Sequence, residues 1–388
     1  MKRSKLSREQ KWKRLISGGD QSWRKYLVLP ILVLLGKVYG RISGVRNWLY
    51  RKGYKKRYWP GCYVISVGNI TVGGTGKTPV VAALATALSK GGRKVAIVSR
   101  GYKSHSPSLR FRLKHKEFSN KTKVVCDGRE LLLSPRIAGD EPYMLAKDLK
   151  NVVVITDPDR VRGARYAMRE FGVDTIILDD GMQHLRLRRQ KDVVLIDANC
   201  PFGYGRILPA GLLREPIEGL HRADHILITK ARDLTEEKKE ELKEEIRKYN
   251  KRADILVSYY EPSELISVHT ESRFPLTLMQ DLPIMVVTGI AQPEGFVKIL
   301  EAQGAKVVCK RFFPDHHRFR RFEIEEIYET AKQFEVKAIL VTEKDAVRFS
   351  KRAGLEQDPP PVYYLKVALK ISEGREHFVH AVEEICTR

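Results

Sequence analysis

Residues 68–79, Gly68-Asn69-Ile70-Thr71-Val72-Gly73-Gly74-Thr75-Gly76-Lys77-Thr78-Pro79, constrain this 388-residue chain more than any other stretch. The apolar run Cys62-Tyr63-Val64-Ile65-Ser66-Val67 before it reads as a buried strand. The small and apolar residues 80–88 after it suit a helix packed on a sheet. Strand, glycine-rich turn and helix in that order are the setting of a phosphate-binding loop. Its glycines let backbone N–H groups converge on phosphate oxygens, and the helix N-terminus adds partial positive charge. Lys77 is expected to reach the β- and γ-phosphates of a nucleoside triphosphate, and the Thr78 hydroxyl to ligate Mg²⁺. Thr71, Gly73, Gly74, Thr75 and Gly76 would line the cradle. Thr71 stands where the general G-x-x-x-x-G-K-[ST] pattern has its first glycine.

The rest of the chain repeats the strand–helix alternation. Residues 94–99 read as a second strand, and Arg100-Gly101-Tyr102 leave its C-terminal end, where ligands sit in open α/β sheets. Residues 103–136 break the rhythm as a β-hairpin excursion, with Asp127-Gly128 as its turn. Helices near 141–149 and 161–171 then alternate with strands near 152–155, 174–180 and 192–197. The expected fold is α/β, a P-loop NTPase-like core with a mostly parallel sheet covered on both faces. Residues 59–224 would form that core. A smaller α/β domain at 225–388, opening with the strand at 225–229, would close over the active site.

The net charge of +24 is concentrated at one end. Residues 1–60 hold seventeen Lys and Arg against Glu9 and Asp20, together with all four tryptophans, Trp12, Trp23, Trp48 and Trp59. Cations meet anionic headgroups and indoles settle at the interface, so this composition fits an anionic membrane surface. Nucleic acid is the rival partner for such charge, but the apolar run at 26–36 serves no groove binder, and no nucleic acid is expected. That run is itself too short to span a bilayer, which takes about 20 residues. Residues 1–58 are therefore read as a basic segment with a membrane-associating helix. Five scattered cysteines without metal-ligand spacing point to a reducing compartment.

Several groups could carry chemistry. The strand ending Leu178-Asp179-Asp180 delivers carboxylates beside the phosphate loop, where one could hold Mg²⁺, and Gly181-Met182-Gln183-His184 adds polar groups at the same sheet end. Asp140, in Gly139-Asp140-Glu141-Pro142, opens a helix; a helix N-cap explains it as well as a catalytic base does. Asp315-His316-His317 forms a second polar cluster on a loop. Arg160 and the Arg214-Glu215 pair are further candidates, arginine being suited to neutralising a transferring phosphate.

Taken together, these motifs resemble the tetraacyldisaccharide 4′-kinase family of lipid A biosynthesis. The match runs through Ser66-Val67-Gly68-Asn69, Gly73 to Pro79, Ser99-Arg100-Gly101-Tyr102, Gly139-Asp140-Glu141-Pro142 and Asp179-Asp180-Gly181-Met182-Gln183-His184. It continues with residues 209–216, Phe313-Pro314-Asp315-His316-His317 and Thr342-Glu343-Lys344-Asp345-Ala346. The resemblance implies an ATP- and Mg²⁺-dependent enzyme at the cytoplasmic face of the bacterial inner membrane. It would move the γ-phosphate of ATP to the 4′-hydroxyl of a glycolipid, tetraacyldisaccharide 1-phosphate, to give lipid IVA. It further implies Asp140 as base with His316 in support, Arg160 and Arg214 as catalytic arginines, and Thr78, Asp179, Asp180 and Glu215 as metal-site residues. Arg100, Tyr102, Gln183 and His184 complete the expected site. The competing reading is a membrane-bound regulatory P-loop ATPase. Such proteins carry a signature Lys just before Gly-Gly-x-Gly-Lys-Thr, where this chain has Val72.

Overall fold

The computed structural model describes residues 8–19, 24–101, 122–290, 293–315, 317–349 and 359–387. Its frame is a thirteen-stranded sheet in the order β11-β10-β12-β13-β8-β7-β6-β1-β5-β2-β4-β3, with β9 pairing β8. The first-half strands are β1 (Tyr63–Asn69), β2 (Val95–Ser99), β3 (Lys123–Asp127), β4 (Val152–Thr156), β5 (Thr175–Asp179), β6 (Lys191–Asp197) and β7 (His225–Thr229). All pair in parallel except β3, which runs antiparallel to β4 at the edge. Every residue of β1, β2, β4, β5 and β7 is buried. Continuous apolar strands of this kind require cover on both faces.

Helix α3 (Lys77–Lys90), which follows α1 (Arg8–Ile16) and α2 (Arg24–Arg51), supplies part of that cover through Val80, Val81, Leu84, Ala85 and Leu88. The short α4 (Pro135–Ala138), α5 (Asp140–Asp148) and α6 (Arg160–Phe171) complete the first half. The hairpin expected around 103–136 is present in part. Asp127-Gly128 does turn the chain, but the returning arm makes only an isolated bridge, Cys126 to Leu131, and β3 is spent on β4. Residues 102–121 lie outside the described residues.

The sheet continues across residue 225, where a second domain was expected to begin. β7 pairs in parallel with β6 and with the long β8 (Asp254–Ser267), which α7 (Glu236–Tyr249) precedes. Strand direction reverses later, where β8 pairs antiparallel with β13 (Val362–Glu373). Beyond this junction lie β9 (Arg273–Phe274), β10 (Pro283–Thr288), α8 (Pro293–Ala302), β11 (Lys306–Phe312), α9 (Arg321–Gln333), β12 (Ala338–Thr342) and α10 (Glu343–Ala346). The strands β10 to β13 form a second parallel set. The last helix, α11 (Arg375–Cys386), returns to the first half. A Cβ on Gly91, just past α3, would stand 2.3 Å from the Cys386 sulfur, so the two helices meet closely there.

Helix α2 exceeds the span its first apolar run suggests. At 28 residues it is about 42 Å long, and among the described residues it is the one helix long and apolar enough to cross a membrane. Leu27, Ile31, Leu34, Val38, Ile42 and Val45 recur at helical spacing and stay exposed. The other face docks through small residues: Cβ atoms on Gly36 and Gly40 would stand 2.8 Å and 2.6 Å from Ile207 atoms. Glycines four apart therefore bring the helix backbone against the core while the apolar stripe faces outward.

Candidate active site

The phosphate loop lies between β1 and α3, at the C-terminal ends of the parallel strands. Gly76 takes a left-handed φ of 80°, which a side chain resists, and turns the chain into α3. Around it the loop is braced on two sides. Thr229, at the end of β7, donates to the Thr75 carbonyl at 2.9 Å, and Tyr260 of β8 donates to the Gly76 carbonyl at 2.8 Å. On the other side the 208–216 segment joins the loop by backbone hydrogen bonds, Val72 N–H to Leu212 O and Arg214 N–H to Ile70 O, both 2.7 Å.

That second brace delivers Arg214. Its Nη1 lies 2.8 Å from both carboxylate oxygens of Asp180, and Lys77 Nζ stands 3.5 Å from the same group. Asp180 sits at φ 54°, a conformation aspartate tolerates, just past the end of β5. Burial pushes its carboxyl up, but Lys77 and Arg214 outweigh that and hold it below the usual range. Lys77 also donates to Asn69 Oδ1 at 3.2 Å.

Asp179 differs from its neighbour. It is buried and accepts a hydrogen bond from Ser99 at 2.9 Å. Burial first, and then the charge of Glu141, push its carboxyl up to about 6. The two adjacent carboxylates are thus separated in proton affinity by environment, and Asp180 carries the settled charge.

Arg160 is buried at the start of α6, with Nε lacking a hydrogen-bond partner among the described residues. Desolvation pulls its guanidinium down, while Asp179 and Asp180 pull it back. His184 is half-buried, and burial followed by the nearby Arg160 pushes it down to about 4, so it is neutral at physiological pH. Gln183 donates to Asn69 O at 2.9 Å and to Glu215 at 2.8 Å. Arg100 is exposed past β2. Tyr102 and His316 lie outside the described residues.

Two expectations change. The N-cap position of α5 belongs to Gly139, at φ 93° with no side-chain cap, so Asp140 does not cap the helix. Its carboxylate instead meets Arg348, whose Nε and Nη2 donate to Oδ2 at 2.9 Å and 2.7 Å. Glu215 is not open to a metal. It is 1% exposed and accepts from Gln183 on one oxygen, and from Asn47 at 2.9 Å and Arg222 at 2.7 Å on the other. With Arg46 donating to the Gln183 carbonyl at 3.1 Å, this carboxylate clasps α2 to the loop after β5.

The loop itself fits a nucleoside triphosphate. Among the described residues, nothing lies within 4 Å of a Cβ placed on Gly73 or Gly74, which leaves room for phosphate to approach the backbone. The donor set is sparse: Thr78 and two aspartates, with no cluster of three or more His, Cys, Asp or Glu among the described residues. Such a set suits Mg²⁺, which keeps waters and takes phosphate oxygens, better than a cation needing an all-protein cage.

A family model described as tetraacyldisaccharide-1-P 4'-kinase matches residues 28–386. The chain belongs to this family. A tetraacyldisaccharide 4'-kinase of Halothermothrix orenii is 39% identical over 346 residues, 87% of each chain. That of Desulfatibacillum aliphaticivorans is 35% identical over 360 residues, 93% of each. The crystal structure of LpxK from Aquifex aeolicus, described as an apo form in complex with ATP, aligns with TM-score 0.72 and 29% identity. It covers 92% of this chain and 99% of that one. The motif-based resemblance therefore holds, and the family is one of kinases, not of regulatory ATPases.

Asn69, Ser99, Tyr260, Asp345 and Arg348 are contributors that motif reading passes over. Asn69, Ser99 and Asp345 lie within Ser66-Val67-Gly68-Asn69, Ser99-Arg100-Gly101-Tyr102 and Thr342-Glu343-Lys344-Asp345-Ala346. Arg348 and Tyr260 carry no local signature, since only the pairing of distant strands brings them to the site.

Proposed function

We propose that the chain transfers the γ-phosphate of ATP to the 4′-hydroxyl of tetraacyldisaccharide 1-phosphate, forming lipid IVA at the cytoplasmic face of the bacterial inner membrane. The observation that carries the reading is the convergence of Lys77, Arg214 and Asp180 on one side of the phosphate loop with Asp140 on the neighbouring helix. Glu141, next in sequence to Asp140, raises the Asp179 carboxyl through its charge, which supports a shared site.

In this reading Thr71 and the amides of Gly73 to Gly76 cradle the phosphates, and Lys77 bridges to the γ-phosphate. Thr78, Asp179 and Asp180 would hold Mg²⁺, which neutralises and orients phosphate oxygens when bound. Arg214 and Arg160 offset charge on the transferring group. Asp140 accepts the proton of the attacking hydroxyl, with His316 in support. Neutral His184, with Gln183, Arg100 and Tyr102, positions the acceptor.

The acceptor cannot leave the bilayer cheaply, since each exposed CH₂ costs about 0.8 kcal/mol. Helix α2 brings the site to it. A cavity of about 440 Å³ between α2 and the core is lined by Arg51, Arg57 and Arg188, by Arg189 and Arg222 paired to Asp192 and Glu215, and by Glu218 and Asp224, so it carries a modest cationic excess. The test is transfer of label from γ-labelled Mg-ATP to the tetraacyl disaccharide 1-phosphate in detergent micelles, with Lys77→Ala as control. Label in a bis-phosphorylated lipid, absent from the control, supports the reading. ATP hydrolysis stimulated by bare anionic vesicles, with no labelled lipid, contradicts it.

A further inference from the structure

We propose that Arg348 is a positioning residue for Asp140, through which the chain beyond β8 sets the attitude of the catalytic base. The inference rests on the reading of Asp140 as that base. Arg348 lies two residues past α10 and is 3% exposed at its side chain, against 18% for Asp140. Its Nε and Nη2 both donate to Asp140 Oδ2, at 2.9 Å and 2.7 Å. Two donors from one rigid guanidinium plane on one oxygen fix where that oxygen stands.

Arg348 is itself held from behind. Its Nη1 lies 3.5 Å from Asp345 Oδ1, and Asp345 is fully buried. The other oxygen of Asp345 accepts from Thr288 Oγ1 at 2.7 Å, Gly289 N–H at 3.1 Å and Thr342 Oγ1 at 2.6 Å. These donors come from the ends of β10 and β12, where ligand-facing groups of a parallel sheet gather. Gly289 adds a third element. A Cβ there would stand 3.0 Å from Pro314 O, 3.2 Å from His317 Cβ and 3.4 Å from Asp345 Oδ1, so the absence of a side chain lets Pro314 and His317 pack closely on the turn after β10.

The ends of β10 and β12 thus meet on one buried carboxylate, with Pro314 and His317 packed on Gly289 beside it, and Arg348 transmits the position of that carboxylate to α5. A second pair at the same junction, Lys344 to Glu141 at 2.9 Å, is more exposed and does not touch Asp140. In a loose phosphoryl-transfer transition state little covalent chemistry falls to the base, so its orientation outweighs its basicity.

Steady-state kinetics on the full chain in micelles, with Mg-ATP and the tetraacyl disaccharide 1-phosphate, test this. Arg348→Ala should lower kcat by about 10²-fold while KM for both substrates stays within about threefold. Millimolar guanidinium should restore part of that loss, and should restore nothing to Asp140→Asn. Arg348→Lys and Asp345→Asn should each fall between wild type and Arg348→Ala, and they carry the test if the alanine variant does not fold. Folded Arg348→Ala or Arg348→Lys enzyme with wild-type kcat, beside an inactive Asp140→Asn, overturns the positioning role alone. An active Asp140→Asn overturns the reading of the base instead.

Discussion

Tyr260 donates its hydroxyl to the carbonyl of Gly76 at 2.8 Å, joining β8 to the last glycine of the phosphate loop across 184 residues of chain. The strand that links the two halves of the sheet therefore also seats the nucleotide-binding turn. The bond is a neutral one, so its loss should cost about 1 kcal/mol. Tyr260→Phe is expected to raise KM for ATP by roughly three- to tenfold with kcat little changed. Titration of ATP against the variant checks it.

The same contact separates the loop glycines. A Cβ on Gly76 would lie 1.8 Å from the Tyr260 oxygen, and its φ of 80° adds strain. Gly76→Ala is expected to lower Tm and destroy ATP binding together. Gly74→Ala meets no described neighbour within 4 Å, so it should fold with Tm near wild type and lose ATP affinity alone. Thermal unfolding with and without Mg-ATP distinguishes the two.

Asp179 makes stability depend on pH in a defined direction. Its folded pKa of about 6 lies above the ordinary 3.8, so the native state binds this proton more tightly than the unfolded chain does. Its ionisation therefore costs stability above pH 6, a cost that disappears as pH falls from 6 toward 4. Asp179→Asn removes the charge. It should stabilise the ligand-free protein by about 2–3 kcal/mol at pH 7.5 and by roughly half that at pH 5, and lower kcat severely. Denaturant unfolding at the two pH values measures it.

Glu215 tests whether the clasp on α2 is structural. Its carboxylate faces Asn47, Gln183 and Arg222 while 1% exposed, so Glu215→Ala strands Arg222. A loss of roughly 3 kcal/mol is expected, with the Mg²⁺ concentration for half-maximal activity within about twofold of wild type. A large rise in that concentration without loss of Tm would restore Glu215 to the metal site.

Much of this was legible because it is local. Residues 62–90 announce strand, loop and helix within one window, and β5 ends on Asp179 with Asp180 just past it, as an apolar strand beside the loop should. What escaped depends on long-range pairing. The junction between halves was placed at residue 225, yet β7 reads the same whether it opens a new sheet or extends the old one. Only the antiparallel match of β8 with β13, more than ninety residues apart in sequence, moves the reversal beyond it. Helix α2 was underestimated because Gly36, Gly40 and Gly44 interrupt its apolar run, though in a helix these glycines share a face. Glu215 was expected at the metal site from its place in the Arg214-Glu215 pair, and the partners its carboxylate meets, residues 47, 183 and 222, are distant in sequence.

The most direct test of the account is single-turnover transfer by Asp140→Asn, with Mg-ATP affinity measured on the same protein. Because Lys77, Thr78, Asp179 and Asp180 are untouched, the account predicts wild-type ATP affinity and transfer slowed by about 10²–10⁴-fold. Lys77→Ala should lose both. Transfer at the wild-type rate by Asp140→Asn would contradict the assignment of the base and, with it, the role given to the junction between the two halves of the sheet.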